Sequence, residues 1–279
     1  MILQFKRYEK AEEYIKENEN LYFANELKNM NSYGILKYSL DDKAVYVSVF
    51  DGLLPVFCAF VTSDGKIYLT HELGENTAEI IDFFIEGLIS NKIEFCVVTA
   101  EQNLMTEFSK IYAAKTKSTF VPKRELSTMY CVKTLNFDTA KGSMRKAETK
   151  DLHTLTCFML ELIRESSGIV LGYEVQRALT LKRLHTYYLW ENNGQIVSCL
   201  RTKPLGARGM MLSGVYTDAD ERGKGYGTSL VGNFTKISLQ CCPKCFLKVD
   251  LFNSAAKRMY KKIGYEYGYK MLEGSFYSR

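Results

Sequence analysis

The chain has 279 residues, 46% of them apolar and 25% charged, proportions of a folded globular protein with room for two domains. Its longest uninterrupted apolar stretch, residues 53–61, falls far short of the roughly 20 residues that cross a bilayer, so no membrane span is expected. The formal charge of +5 hides an asymmetry: residues 1–140 carry 15 basic against 20 acidic side chains, and residues 141–279 carry 22 against 12. A cationic half concentrates phosphate-bearing ligands, but lysines scattered over many segments read as a solvated face, so nucleic acid is not an expected partner.

The first ten residues place their charges after the apolar ones and offer no small-residue cleavage site, so no secretory leader is expected. Most of the eight cysteines (58, 96, 131, 157, 199, 241, 242 and 245) sit inside apolar runs, as reduced buried thiols do, and a cytoplasmic location is expected. Cys242 and Cys245 form a C-x-x-C, yet no second pair or nearby histidine completes four ligands, and no metal is expected.

In chain order, residues 8–17 and 20–30 read as two short helices. Residues 44–51 and 53–61 are rich in Val, Phe and Tyr and read as strands, with a third at 67–71 after the Ser63-Asp64-Gly65 turn. Ile80, Ile81, Phe84, Ile85 and Leu88 recur at helical spacing, residues 93–99 read as a buried strand, and Leu104, Met105, Phe108, Ile111 and Tyr112 mark another helix. Two strand-like runs end near Leu135. Residues 136–143, with Gly142 and little apolar periodicity, are the expected linker.

The second half opens with strand-like residues 144–147, then a helix capped by Asp151 with Leu152, Leu155, Phe158, Met159 and Leu162 on one face. A loop at 168–172 precedes a helix from Tyr173 to about Lys182. Strands at 186–191 and 195–202 are joined by Asn192-Asn193-Gly194, a hairpin signal. A strand over 210–216 follows, then a glycine-rich loop and a helix from Tyr226 expected to turn Leu230, Val231, Phe234 and Ile237 inward. Residues 245–251 read as a strand, Asn253 opens a helix that Gly264 ends, and residues 265–270 and 275–278 read as a closing strand pair.

Both halves thus spell helix, helix, three strands, helix, strand, helix, two strands. A shift of 151 sets Phe95 against Phe246, Val98 against Val249, Phe108 against Met259 and Ala113 against Gly264, as an internal duplication would. Where the second half has its glycine loop, the first has Glu72-Leu73-Gly74-Glu75-Asn76, and opposite Tyr260 it has Ser109. Two carboxylates there are poor company for phosphate.

The loop itself runs Arg222-Gly223-Lys224-Gly225-Tyr226-Gly227 between a strand and a helix. Glycines alternating with larger residues let successive amides point into one concavity, which at a helix amino end attracts phosphate. It is not a P-loop, which needs Gly at 218 and Ser or Thr at 225, where the chain has Asp218 and Gly225. The dinucleotide fingerprint fails at Thr228, with no acid between 229 and 249.

Arg222, Gly225 and Gly227 do fit (Q/R)-x-x-G-x-(G/A), and with the strand end Val215-Tyr216-Thr217 the loop resembles the coenzyme A pyrophosphate loop of the GCN5-related N-acetyltransferases (GNATs). A second motif of that family, N-x-x-A-x-x-x-Y-x-x-x-G-(F/Y), is matched by Asn253, Ala256, Tyr260, Gly264 and Tyr265. The resemblance runs from Ser143 to the carboxyl terminus.

It implies an α+β fold of two GNAT-like modules, 1–138 degenerate and 143–279 catalytic, each a mixed, mostly antiparallel sheet flanked by helices. It implies acetyl-CoA as cosubstrate, no metal, and transfer of an acetyl group to a primary amine of a small molecule or peptide. Val215, Tyr216 and Thr217 would meet the pantetheine arm, and amides of Arg222, Gly223, Lys224, Gly225, Tyr226, Gly227 and Thr228 the pyrophosphate. Asn253 would fix the strand opening or bond pantetheine, a helix N-cap being its alternative role. Tyr260 would be the general acid. The residues themselves name no general base: Glu174, His185 and Asp250 are weak candidates, and the 210–216 strand holds no carboxylate. A non-catalytic acyl-CoA-binding protein and an aminoacyl-tRNA-dependent transferase are the alternatives.

Overall fold

A computed structural model describes residues 1–38, 43–72, 74–205 and 208–278. The first part of the chain runs β1 (Leu3–Tyr8), α1 (Ala11–Ala24), α2 (Glu26–Tyr38), β2 (Val45–Asp51), β3 (Leu54–Val61), β4 (Lys66–His71), α3 (Thr77–Ser90), β5 (Val97–Glu101), α4 (Gln102–Thr116) and β6 (Ser118–Cys131). The second runs β7 (Ser143–Lys146), α5 (Leu152–Ser167), α6 (Tyr173–Lys182), β8 (Tyr187–Asn192), β9 (Gln195–Pro204), β10 (Met210–Thr217), α7 (Tyr226–Ser238), β11 (Cys245–Asp250), α8 (Ser254–Ile263) and β12 (Glu266–Ser278). The same sequence of ten elements occurs twice.

Each half therefore opens with a strand, and β1 is one that the sequence reading lacked. Lys6 and Arg7 blur its alternation, yet Phe5 packs on α3, where a β-carbon at Gly87 would overlap its ring. The first helix starts at Ala11 rather than 8, and the second reaches Tyr38 rather than 30. The two runs expected before Leu135 are one strand, β6, which Pro122 does not break. The closing pair is likewise one strand, β12. Its polar Glu273 interrupts the apolar pattern but is met by Lys66 at 3.0 Å, so the ladder continues through it.

By packing, the chain forms two compact units: residues 1–128 with 249–252 and the segment from Gly268 on, and residues 129–248 with 253–267. The expected linker, residues 136–143, falls inside the second of these units.

In the first unit the strand order is β1-β2-β3-β4-β5-β12-β6, antiparallel from β1 to β4, parallel between β4 and β5, and antiparallel between β5 and β12. Its core joins Phe57, Ile67 and Val98 of the sheet to Ile81, Phe84 and Phe108 of α3 and α4, with Phe57 stacked on Phe84 at 4.2 Å. All five apolar positions that predicted α3 are buried.

In the second unit the order is β11-β10-β9-β8-β7, antiparallel from β7 to β10 and parallel between β10 and β11. Leu155, Phe158 and Met159 of α5 pack on Tyr187, Leu189, Cys199 and Tyr216. The other face receives α7, whose Phe234 meets the Tyr188 ring at 4.7 Å; neighbouring residues of a strand point to opposite faces. Ile237, expected to face inward with Leu230, Val231 and Phe234, is 52% exposed in the last turn of α7. Asn193 and Gly194 both have positive φ (48° and 75°), as a two-residue hairpin turn matching strand twist requires.

No helix among the described residues is long and apolar enough to cross a membrane. All eight cysteines are free, with Cys58, Cys131, Cys199 and Cys245 buried and Cys96 and Cys241 exposed, so burial holds for half of the thiols rather than most. Burial pushes the Cys58 and Cys199 thiols up to about 12.

The start of α5 depends on an ion pair. Asp151 is buried and accepts from Arg145 at 2.7 and 2.9 Å and from the Glu148 amide at 2.7 Å, a capping box one turn ahead of the cap expected. Arg145, then the Glu148 amide, hold the Asp151 carboxyl below its ordinary range against the opposing effect of burial. A carboxyl depressed on folding contributes stability above its unfolded value, about 4, and loses it as pH falls through the folded value. Asp151→Asn is expected to cost roughly 2 kcal/mol at neutral pH, and the gap to wild type should close on acidification in urea titrations.

Candidate functional site

The site is built on an irregularity in β10. Ser213 pairs with Arg201 and Tyr216 with Cys199, so Gly214 and Val215 together oppose one residue of β9. Such a bulge bends its strand. Gly214 sits at φ 57°, a left-handed conformation that a β-carbon disfavours. On the other side β10 pairs with β11 only at Met210–Cys245 and Met211–Phe246, although both strands continue, and beyond those two pairs they part.

At the carboxyl end of β10 the opening widens into a cavity of about 530 Å³. It is lined by Val215, Tyr216, Thr217, Arg222, Gly223, Gly225, Tyr226, Gly227, Thr228, Asn253 and Tyr260. These are the site residues read from the sequence apart from Lys224, which pairs with the lining residue Glu221 at 3.0 Å.

Gly223 and Gly225 have φ of 78° and 84°, and Gly225 is the residue ahead of α7. The first bond of α7 runs from the Ser229 amide to the Gly225 carbonyl, at 2.9 Å, so the amides of Tyr226, Gly227 and Thr228 precede the helical ladder. A β-carbon at Gly227 would lie 3.0 Å from Thr217 Oγ1 and 3.2 Å from Met259 Sδ. Here a side chain would press on its neighbours, and at 223 and 225 the conformation favours glycine.

Asn253 takes its capping role: its side chain accepts from the Ala256 amide at 2.9 Å. Tyr260 is 6% exposed, and burial raises its phenol above the ordinary range, so it holds its proton at neutral pH. The neighbouring Tyr265 bonds Thr235 at 2.8 Å and packs 5.7 Å from the Tyr260 ring.

Sequence reasoning missed Leu162, Glu165, Glu221, Ala255, Met259 and Lys262 in the lining. Glu165 matters most. It receives Arg222 Nη2 at 2.8 and 3.0 Å while Arg222 Nε donates to the Thr217 carbonyl at 3.1 Å, and the guanidinium lies 5.2 Å over the Tyr216 ring. A glutamate at the end of an amphipathic helix gives no sign in the sequence of a partner 57 residues away.

The three weak base candidates lie outside the lining. Glu174 and His185 are exposed, and Asp250 accepts from Arg124 at 3.4 Å and from the Phe252 amide at 2.9 Å. His153 pairs with Tyr173 at 2.8 Å and His71 belongs to the first unit, where burial lowers its pKa. Among the described residues no His, Cys, Asp or Glu group is arranged to hold a metal. The corresponding end of β4 in the first unit opens on a cavity of about 300 Å³ lined by Asp51, His71, Glu72 and Glu75; Leu73 lies outside the described residues.

Residues 156–265 match the model of the acetyltransferase (GNAT) family. Solved structures share the fold over nearly the whole chain. An acetyltransferase of the GNAT family from Colwellia psychrerythraea aligns over 98% of this chain and 100% of its own, with TM-score 0.68 and 13% identity. A GCN5-related N-acetyltransferase from Sphaerobacter thermophilus aligns over 97% and 94%, with TM-score 0.62 and 15% identity. A tandem GNAT protein from the clavulanic acid biosynthesis pathway aligns over 98% and 97%, with TM-score 0.63 and 11% identity. Among curated proteins none matches in sequence. The family match lies in the second half of the chain, and the solved structures show the fold that the whole chain shares. Its mixed sheets flanked by helices, in two modules, are those expected.

If Gly214 is what allows the bulge, Gly214→Ala should cost roughly 1–2 kcal/mol in denaturant unfolding even though its nearest neighbour would be 3.6 Å away. An unchanged midpoint would show the bulge to be indifferent to that φ.

Proposed function

We propose that this protein transfers an acetyl group from acetyl-CoA to a primary amine of a small molecule or peptide, using its second module. The observation that carries the reading is the shared cavity: amides ahead of α7 and the Tyr260 phenol line one opening at the end of β10. The residues suit the cosubstrate. Amides of Tyr226, Gly227 and Thr228, with the positive end of the α7 dipole, would receive the pyrophosphate. Past Met211, β10 has no β11 partner on its cavity side, and main-chain groups near Val215 would accept a pantetheine arm as an added strand. Thr217, expected to share that role, already gives its carbonyl to Arg222.

Acetyl-CoA supplies a thioester. A neutral amine forms the new C–N bond at the thioester carbonyl, the C–S bond breaks, and Tyr260 gives its proton to the departing sulfur while the acceptor nitrogen releases one to solvent. The phenol carries its proton at neutral pH, as the step requires, although burial makes it the weaker acid.

We assign CoA binding to the second module alone, because Glu72 and Glu75 stand in the first where its phosphates would lie. An acyl-CoA-binding protein without turnover would share the cradle, so the decisive readout is thiol release. Tyr260→Phe should lower kcat by about 100-fold or more while acetyl-CoA affinity, measured by calorimetry, changes less than about twofold. Unchanged turnover would remove Tyr260 from the reaction.

A further inference from the structure

The segment between β6 and β7 is strapped across α8 and α7, beside the glycine loop. The Leu135 amide donates to the Ile263 carbonyl at 2.8 Å, and a β-carbon at Gly232 would overlap the Phe137 ring. The Ala140 amide donates to Ser229 Oγ at 2.7 Å, and the Lys141 carbonyl accepts from the Trp190 indole at 3.0 Å. Ser229 Oγ in turn donates to the Gly225 carbonyl at 2.9 Å. Ala140 Cβ is 3.7 Å from where a β-carbon of Gly225 would be, so the strap borders the turn that opens α7.

Between these anchors Asp138 stands in water. Its side chain is 97% exposed and meets Lys262 Nζ at 3.2 Å. Lys262 lines the cavity, and so does one other cation, Arg222, but the two are held differently. Arg222 gives Nη2 to both oxygens of Glu165 and Nε to the Thr217 carbonyl. An ion pair as exposed as that of Lys262 contributes little, so this ammonium can change partners at small cost.

Its position suits a second phosphate. Met259, whose Sδ would lie 3.2 Å from a β-carbon of Gly227, is three residues before Lys262, so both share a face of α8 that turns toward the first turn of α7. Tyr260 is buried at 6% exposure, whereas the Lys262 side chain is 55% exposed; the phenol marks the inner end of the cavity and the ammonium its mouth. Coenzyme A carries, beyond its pyrophosphate, a phosphate monoester on the ribose of its adenosine. With the thioester at Tyr260, the nucleotide is left at the mouth.

Resting on the acetyl-transfer reading, we propose that Lys262 receives the ribose phosphate of coenzyme A, exchanging Asp138 for it, and so makes this site select CoA over its dephospho form. The pyrophosphate takes the amides ahead of α7 and the monoester takes the ammonium. Asp138 turns to water while the strap stays pinned on either side of it.

The test is calorimetric titration of the full chain with CoA and with 3′-dephospho-CoA at one ionic strength. Wild type should bind CoA more tightly by at least about 10-fold. In Lys262→Gln that ratio should fall below about twofold through loss of CoA affinity alone, while Lys262→Arg keeps the preference. Asp138→Asn should tighten CoA by about two- to fivefold and leave the dephospho form as it was, a split that a merely structural effect on the strap would not give. Added salt should shrink the preference, because it screens exposed charges.

Equal affinity of wild type for the two ligands, or a preference that survives Lys262→Gln, overturns the assignment and leaves the transferase standing. CoA binding by Asp138→Asn that matches wild type overturns the exchange. Wild type that binds neither ligand and releases no thiol from acetyl-CoA removes the acetyl-transfer reading, and the assignment with it.

Discussion

Everything at the site follows from the extra residue in β10. A parallel strand pair would ordinarily zip along its length and bury its amides in a ladder. Here β10 leaves β11 after two residue pairs, and the bulge at Gly214 and Val215 lies just beyond. The sheet gives up main-chain hydrogen bonds, each worth on the order of 1 kcal/mol net, and gains an opening with polar backbone on its wall. Because α7 follows β10 through a glycine turn, the residues that open it, Tyr226, Gly227 and Thr228, line that opening. One backbone irregularity thus locates both the cradle and the phenol.

The electrostatics divide the opening into two sides. On the loop side the cations are tied down: Arg222 to Glu165, Lys224 to Glu221, and Lys262 to Asp138 at 3.2 Å. Binding of the pyrophosphate there would therefore rest on amides and the helix dipole, which need no rearrangement to act. On the α5 side burial, then Arg201, Arg183 and Lys248, lower the Lys203 ammonium.

The sequence made much of this legible because the site is local. Arg222 to Thr228 are consecutive, and Asn253 and Tyr260 sit one helix apart at a spacing that fixes their relation, so a one-dimensional pattern captures them. The strands and helices with strong periodicity, such as α3 with Ile80, Phe84 and Leu88, were readable for the same reason. What escaped depends on distant partners. β1 is visible only once Phe5 has α3 to pack on, and β12 is continuous only because Lys66 meets Glu273. Glu165 acquires its role from Arg222, and the cations that lower Lys203 come together only in the fold. The missing base drew attention to carboxylates elsewhere, whereas the carboxylates lining the cavity are Glu165 and Glu221, each paired with a cation of the loop.

The central claim, that the glycine amides ahead of α7 receive the pyrophosphate of coenzyme A, is tested most directly by calorimetric titration of the whole chain with CoA, beside Gly227→Val. A valine there meets Thr217 and Met259 in the wall of the cavity. The account predicts one CoA bound per wild-type chain and binding weakened by about 10-fold or more in a variant that still folds. Wild-type protein that releases no heat with CoA at millimolar concentration, or a folded Gly227→Val that binds as wild type does, would contradict it.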